Sequence, residues 1–366
     1  MTKKKSKKRS NRKWWIGLAV IVGLVLILLL AVYLIFHHYF SMMQQGEESM
    51  EILDSIPEES EDIVIPNDSE AGSESEPQGD SESGSQQDED LTNWESYEGR
   101  VYQDPDTYNI LLVGTDSREK DMRGRSDSMI VASINKKTHK IILTSIMRDT
   151  YVKIPDVGDN RINAAAAYGG INLLVRTIES NFNIHIDNYM VTNFFTFAEA
   201  VDLMDGVDMH VSAAEAGAIN GCIQEYNDLT GETGGFLEKV DGVVHLNGKQ
   251  ALSYCRIRKV GNSDFQRTER QRDMLMKLAE KAKGMGLGDI NEIATAILPK
   301  LKTNLSETDC LSLLWEAFTN YRNYEIESFR IPADGTLEGA TIRGMSVLSI
   351  DFKKNIDLFF EKVYNR

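Results

Sequence analysis

The chain has 366 residues and a formal net charge of −16, but the charge is unevenly spread. Residues 1–13 hold eight Lys or Arg and no acid, whereas residues 41–99 hold 19 Asp or Glu and no Lys or Arg, which leaves −5 for residues 100–366. We therefore expect no nucleic-acid partner, because the part of the chain that can fold has no excess of basic residues.

A run of 23 uncharged, mostly apolar residues, 14–36, follows the basic stub of residues 1–13. As a helix it spans roughly 35 Å, enough for a tilted crossing of a ~30 Å hydrocarbon layer. Positive charge precedes the run and is absent from the 63 residues after it, so the N-terminus is predicted to be cytoplasmic. The run is too long for a cleaved signal peptide and no small-x-small site follows it. We predict a single-pass anchor in the cell membrane, with the following domain extracellular.

Residues 37–100 are predicted to be an acidic, disordered linker. They are rich in Ser, Glu, Asp, Gln and Gly, and their apolar surface is too small to offset the entropy lost on ordering. Like charges along the segment also repel one another and extend it. The linker would hold the next domain away from the membrane.

Residues 101–366 are predicted to form one α/β domain with a mixed central sheet, because strand and helix patterns alternate around a hairpin. Short apolar runs predict strands at 109–114, 129–134, 141–146, 189–191, Val207–Val211 and Glu325–Ile331. Helical spacing predicts helices around 171–178, at 194–204, 264–283, 289–300 and 306–320, and a closing amphipathic helix around 352–360.

The three cysteines, Cys222, Cys255 and Cys310, do not form a CxxC pair. Their odd number argues against a disulfide framework or a zinc site. A bridge between Cys222 and Cys255 and three separate buried thiols both fit the sequence, and the second interpretation is favoured.

Two carboxylates lie where predicted strands begin or end. Asp116 follows the first strand and Asp127 precedes the second, so the two can share a divalent cation. Hard oxygen ligands suit Mg²⁺, which takes one or two carboxylates together with phosphates. The competing interpretation is that both residues cap turns.

Arginines dominate the second candidate region. Arg256 and Arg258 would face the same side of an extended chain, and Arg267 and Arg270 are one turn apart on a predicted helix that Asp264 would cap. A helix N-terminus flanked by guanidinium groups is suited to binding an anion, although a solvated basic helix explains the same pattern. Acids and arginines without Ser or His nucleophiles are typical of phosphoryl chemistry.

Six ordered blocks resemble the LytR-CpsA-Psr family of cell-wall ligases, over about residues 108–283. They are Gly114-Thr115-Asp116-Ser117-Arg118, Gly124-Arg125-Ser126-Asp127, Ser145-Ile146-Met147-Arg148-Asp149-Thr150, Ile162-Asn163-Ala164-Ala165 through Tyr168-Gly169-Gly170, the run LNGKQALSYCRIR at 246–258, and DFQRTERQ at 264–271. One residue departs from the family pattern, because Met147 replaces the usual Pro before Arg148.

The resemblance implies an α-β-α sandwich that binds a polyprenyl-pyrophosphate lipid. It assigns Mg²⁺ to Asp116 and Asp127, and places Arg148 in the same site, so that these three are the candidate catalytic residues. The pyrophosphate would be bound by Arg125, Arg256, Arg258, Arg267 and Gln271.

The function that the resemblance implies is a phosphotransferase of cell-wall assembly. It would move a glycopolymer, such as teichoic acid or capsule, from a polyprenyl-pyrophosphate-linked glycan donor to a peptidoglycan acceptor. Two alternatives stay open at this point: a polyprenyl-pyrophosphate hydrolase that uses water as acceptor, and a non-catalytic envelope sensor or regulator.

Overall fold

A computed structural model describes residues 37, 41, 44–45, 101–115, 125–238, 240–261 and 263–366. The predicted stub (1–13), anchor (14–36), most of the linker and Asp116 lie outside the described residues. Within the described part of the chain, every helix is too short or too polar to cross a membrane.

The elements follow the predicted alternation of strands and helices. The strands are β1 (Thr107–Thr115), β2 (Ser126–Asn135), β3 (Lys140–Ile146), β4 (Tyr151–Ile154), β5 (Gly158–Arg161), β6 (Asn188–Asn193), β7 (Val207–Val211), β8 (Gly242–Leu246), β9 (Glu325–Ile331), β10 (Leu337–Ile342) and β11 (Met345–Ile350). The helices are α1 (Ala164–Phe182), α2 (Phe194–Leu203), α3 (Ala213–Thr230), α4 (Gly248–Arg256), α5 (Ser263–Lys283), α6 (Leu287–Ile297), α7 (Glu307–Thr319) and α8 (Phe352–Phe359).

The described chain divides into two compact units. The helical unit contains the described residues before Gly46, Phe195–Arg256 and Met274–Tyr324, and the sheet unit contains the described residues from 101 to Phe194 together with Ile257–Asp273 and Glu325–Arg366. The limits predicted from the sequence for a single domain stay a prediction.

The sheet unit is built on a mixed sheet with the strand order β6-β1-β2-β3-β9. Strands β1, β2 and β3 are antiparallel neighbours, whereas β6 and β9 run parallel to β1 and β3. Its middle strands are buried on both faces, which explains their nearly continuous apolar runs. The predicted α/β fold with a mixed central sheet is therefore confirmed.

Helix α1 covers one face of this sheet, because Leu173, Leu174 and Ile178 are fully buried in the main core. The helix is interrupted at Gly169-Gly170, where Gly170 has φ +66°. A residue with a Cβ adopts that backbone only under strain, so the glycine pair of this motif marks a kink.

The helical unit contains the β7–β8 hairpin and helices α2, α3, α4, α6 and α7. Ser212 and Glu215 form a reciprocal capping box at the start of α3. Two two-residue strands of this unit, Gln44–Gln45 and Lys302–Thr303, pair in parallel, a pairing that the linker prediction did not include. Neither Cys222 nor Cys255 forms a disulfide bond within the described residues.

Candidate active site

The candidate site lies in the sheet unit, where the ends of strands meet the start of α5. Asp127 is the second residue of β2, and Arg148 follows β3 by two residues. Asp264 and Arg267 lie in the first turns of α5, and Arg258 lies in the segment that leads into that helix. Strand ends are where α/β sheets bind ligands.

Arg148 is the centre of an ion-pair network. Its Nη1 donates to Asp127 Oδ1 at 2.6 Å, and its Nε donates to Asp264 Oδ2 at 3.2 Å. The Nε also lies 3.8 Å from Asp149 Oδ2. Burial alone would lower the pKa of Arg148, but the carboxylates of Asp127, Asp264 and Asp149 outweigh it and raise that pKa. The guanidinium is therefore held charged and in one orientation.

Asp264 joins Arg148 to two further arginines. Arg267 Nη2 donates to Asp264 Oδ2 at 2.9 Å, and Arg258 Nε lies 3.9 Å from Asp264 Oδ1. Asp264 lies inside the first turn of α5, after the helix has begun at Ser263. The sequence interpretation of this residue as the helix cap is therefore wrong, and its carboxylate binds arginines instead.

Arg267 is the most deeply buried arginine of the network, with 3% of its surface exposed. Burial lowers the pKa of Arg267 to about 10. The carboxylate of Asp264 opposes this shift, whereas the charges of Arg148 and Arg258 lower the pKa further. The group stays charged at neutral pH. Its Nε is buried and has no hydrogen-bond acceptor among the described residues. A buried donor without an acceptor is unfavourable unless a ligand or water supplies one.

We use the name Arg148 cluster for Asp127, Arg148, Asp149, Arg161, Arg258, Asp264 and Arg267. Arg161 belongs to it through Asp149, at 3.6 Å. Burial raises the pKa of Asp149 above its ordinary value, against the attraction of Arg148 and Arg161. Four guanidinium groups and three carboxylates leave a net charge of +1. The cluster is therefore organised to attract an anion.

The other predicted site residues are placed as follows. Arg125 directly precedes β2 and is half-buried, and Gln271 is half-buried on α5, one turn after Arg267. Asp116 lies outside the described residues.

Arg256 belongs to the helical unit, where its Nη2 donates to Glu225 Oε2 at 3.3 Å. It ends helix α4, so the extended-chain interpretation of Arg256 and Arg258 is wrong. Asn247 and Gln250 start that helix by exchanging side-chain to backbone hydrogen bonds at 3.0 Å. This Asn-x-x-Gln spacing is a capping signal that was readable in the sequence.

Arg270 is also placed differently from its prediction. It is buried, and its guanidinium donates to the carbonyl oxygens of Ile257 and Val260 at 3.3 and 3.1 Å. It therefore fixes the segment that carries Arg258, and it does not share an anion site with Arg267.

Met147 explains how Arg148 keeps its position without the usual proline. The Met147 backbone N–H donates to Ile331 O at 2.9 Å, which continues the β3–β9 pairing by one bond. A proline has no N–H and cannot make this bond. The Asn163 N–H also donates to Arg148 O, at 3.3 Å. Sequence reasoning missed Asp149 and Arg161 as members of the cluster, although Asp149 stands beside Arg148 in the quoted motif, and it gave Asp264 only the role of a helix cap.

The groups present are compatible with Mg²⁺ but do not identify it. Within the described part of the chain there is no group of three or more His, Cys, Asp or Glu suited to a metal. A magnesium ion bound to pyrophosphate needs only one or two carboxylates. Asp127 bonds Arg148 through Oδ1, and no described residue donates to its Oδ2.

Comparison with known proteins identifies the family of this chain. A model of the LytR_cpsA_psr family matches residues 69–359. The protein named "Polyisoprenyl-teichoic acid--peptidoglycan teichoic acid transferase TagU" from Bacillus mycoides (strain KBAB4) is 34% identical over 232 residues, which cover 62% of this chain and 69% of TagU.

Solved structures are similar over most of the described chain. "TagT bound to LIIa-WTA" matches with a TM-score of 0.56 and 27% identity, covering 71% of this chain and 91% of that chain. "LytR-CPS2A-psr family protein YwtF (TagT) with bound octaprenyl pyrophosphate lipid" matches with a TM-score of 0.53 and 26% identity, covering 71% and 90%. With the family match spanning well over half of its length, this chain belongs to the LytR_cpsA_psr family.

Proposed function

We propose that this protein is a transferase that moves a teichoic-acid-type glycopolymer from a polyprenyl-pyrophosphate carrier to peptidoglycan. The observation that carries the proposal is the Arg148 cluster, with its net positive charge and the buried, unsatisfied Nε of Arg267. Relatives named as teichoic acid transferases and a similar structure with a bound polyprenyl pyrophosphate lipid support it.

The reaction is a substitution at the phosphorus that bears the glycopolymer. The oxygen of a peptidoglycan hydroxyl forms a bond to this phosphorus, and the bond from the phosphorus to the bridging oxygen of the pyrophosphate breaks. Polyprenyl phosphate leaves with the bridging oxygen, and the hydroxyl proton passes to a base. Such reactions depend on positioning and charge neutralisation more than on a protein nucleophile.

The arginines supply that neutralisation. Arg148 is held by three carboxylates, so it is preorganised, and Arg258 is half exposed and can reach a ligand. Donors fixed in place before the reaction stabilise developing charge without reorganisation. Arg125, Arg256 and Gln271 are proposed as further pyrophosphate ligands on the basis of the family motifs.

Mg²⁺ is proposed as the cofactor, held by Asp116 and Asp127. When bound, it would neutralise charge on the pyrophosphate oxygens. The Oδ2 of Asp127 suits this role or that of the base, because no described residue donates to it. Asp127→Asn removes the carboxylate that both roles need. If added Mg²⁺ restores transfer by this variant, Asp127 acts as a metal ligand; if it does not, Asp127 acts as the base.

The topology is proposed from the sequence. Residues 14–36 would anchor the chain in the cell membrane with its N-terminus in the cytoplasm. Residues 37–100, apart from the short strand Gln44–Gln45, would be a disordered linker, and 101–366 an extracellular catalytic domain with α-β-α layering.

Transfer by the full-length protein in detergent tests the function. The donor is a labelled glycan on a polyprenyl pyrophosphate, the acceptor is a peptidoglycan fragment, and the label joined to the acceptor is measured. Arg258→Ala should lower transfer by at least about tenfold. Arg176→Ala is the matched control, because Arg176 lies on α1 in an exposed pair with Asp156.

The same assay separates the competing functions. Label joined to the acceptor, and only when acceptor is present, supports the transferase. Release of free sugar phosphate at the same rate with and without acceptor would identify a hydrolase. Intact donor after incubation with Mg²⁺ and acceptor would favour a sensor.

A further inference from the structure

A second group of arginines lies outside the Arg148 cluster, and the proposed transfer reaction does not use it. Arg272 of α5 has only 7% of its surface exposed, so it is more than nine-tenths buried. Its Nε and Nη1 are inaccessible to solvent and have no hydrogen-bond partner among the described residues. Charged donors are rarely left buried without an acceptor, because their desolvation is then uncompensated.

Arg272 and Arg267 point to different sides of α5. At about 100° per residue, the step of five residues from Arg267 to Arg272 corresponds to a rotation of about 140°. Phe265 is seven positions before Arg272, which places it within about 20° of the same helix face. Helical side chains lean toward the helix N-terminus, so Arg272 extends toward the turn that carries Phe265.

Arg330, near the end of β9, lies on that face of the helix. Its Cζ is 4.6 Å from the centre of the Phe265 ring, and its Nε donates to Pro332 O at 2.9 Å. Arg330 also forms an ion pair with Asp334, whose side chain is 96% exposed. The Arg330 side chain is only 16% exposed, but the Asp334 carboxylate can return to solvent, so an incoming anion can replace it.

The two arginines repel each other. Burial lowers the pKa of Arg272 and the charge of Arg330 lowers it further, whereas Asp273 and Glu269 oppose the shift. Both acids lie on the exposed side of α5. Among the described residues, neither carboxylate accepts a hydrogen bond from the buried Nε or Nη1 of Arg272. A doubly charged anion would remove this repulsion.

The hydroxyl group of Ser145 lies beside Arg330 in the sheet. Ser145 of β3 is the register partner of Arg330 of β9, so both side chains lie on one face of the sheet. Ser145 is 1% exposed, and its Oγ has no hydrogen-bond partner among the described residues. Buried donors from both α5 and the sheet thus lack acceptors in the same region.

We propose that Arg272 and Arg330 form a second oxyanion site, separate from the Arg148 cluster, which takes a phosphate group. A phosphate has enough oxygens to accept from both guanidinium groups and to displace Asp334. The phosphate has two possible sources, a phosphodiester within a glycopolymer and free inorganic phosphate. The site follows from these side chains and does not depend on the transfer reaction.

Calorimetric titration of the full-length protein in detergent with inorganic phosphate tests the site. The wild type should show two classes of binding. Arg272→Met and Arg330→Met should each weaken the same class by at least about tenfold, and Arg258→Met should weaken the other. Arg322→Met, at an exposed arginine of the helical unit, is the matched control and should leave both classes unchanged.

Thermal unfolding gives a second, independent reading. Without phosphate, Arg272→Met should unfold at a Tm equal to or above that of the wild type, because it removes a buried charge that has no acceptor. Phosphate should raise the Tm of the wild type more than that of the variant, since it binds the folded state.

One class of phosphate binding, or two classes that survive in both Arg272→Met and Arg330→Met, would overturn the proposal. Arg330→Met reports on the site even if Arg272→Met fails to fold. Titration with a short glycerol phosphate oligomer identifies the source of the phosphate group. If the oligomer binds more tightly than inorganic phosphate in the class that Arg272→Met weakens, the site takes a polymer; if the two bind equally, it takes free phosphate.

Discussion

Asp264→Asn removes one negative charge from the middle of the Arg148 cluster while keeping the side-chain shape. The carboxylate contacts Arg148 and Arg267 at 3.2 and 2.9 Å, and it lies 3.9 Å from Arg258. Its own side chain is 17% exposed, and those of Arg148 and Arg267 are 17% and 4% exposed. The variant therefore leaves two largely buried arginines short of their shared counter-ion.

The expected loss of stability is about 3 kcal/mol, because breaking a buried ion pair by neutralising one partner leaves an uncompensated charge. For a folded region of this size that corresponds to a fall in Tm of about 6–12 °C. The same change should tighten the binding of inorganic pyrophosphate. Removing a charge about 6 Å from the anion is worth about 0.7–3 kcal/mol at an effective dielectric between 20 and 80, or roughly threefold or more.

Thermal unfolding and calorimetric titration with pyrophosphate measure the two effects, which have opposite directions. Asp156→Asn is the matched control, since Asp156 makes an exposed pair with Arg176 that should contribute less than about 1 kcal/mol. An Asp264→Asn variant with a Tm within about 2 °C of the wild type, or with weaker pyrophosphate binding, would refute the view that Asp264 restrains these arginines.

Two further predictions concern the residues around Arg148. Met147→Pro should be about 1–3 kcal/mol less stable than Met147→Leu in thermal or denaturant unfolding, because only leucine keeps the N–H that bonds Ile331 O; equal stabilities would contradict this. The raised pKa of Asp149 contributes stability that is present below its ordinary value of 3.8 and is lost as the pH rises through the folded-state pKa. The Tm of the wild type minus that of Asp149→Asn should therefore fall as the pH rises above about 3.8, and a difference independent of pH would contradict a raised pKa of Asp149 in the folded protein.

Much of the fold was predictable from local patterns. The apolar run at 109–114 lies within β1, the strand predicted at Val207–Val211 has those limits in the structure, and the helix predicted at 264–283 is α5. These segments have strong apolar periodicity, and burial of one face or of a whole strand follows directly from it. Helix α3 was missed, because its Ala, Gly and Asn residues show weak amphipathic contrast.

The sequence also determined the chemical class of the site, because ordered motifs carry the same residue types in the same order as a known family. Asp127, Arg148, Arg258 and Arg267 were all named from those motifs, and the structure places them in one network.

Only the tertiary structure decided how these charges are paired. Asp264 was read as a helix cap, and Arg270 as an anion ligand, because spacing shows which residues share a helix face but not what lies opposite that face. Arg272 shows the same limit most clearly: in the sequence it is one more basic residue of a polar helix. Its burial beside Arg330, without an acceptor for two of its nitrogens, depends on a strand that lies more than 50 residues further along the chain.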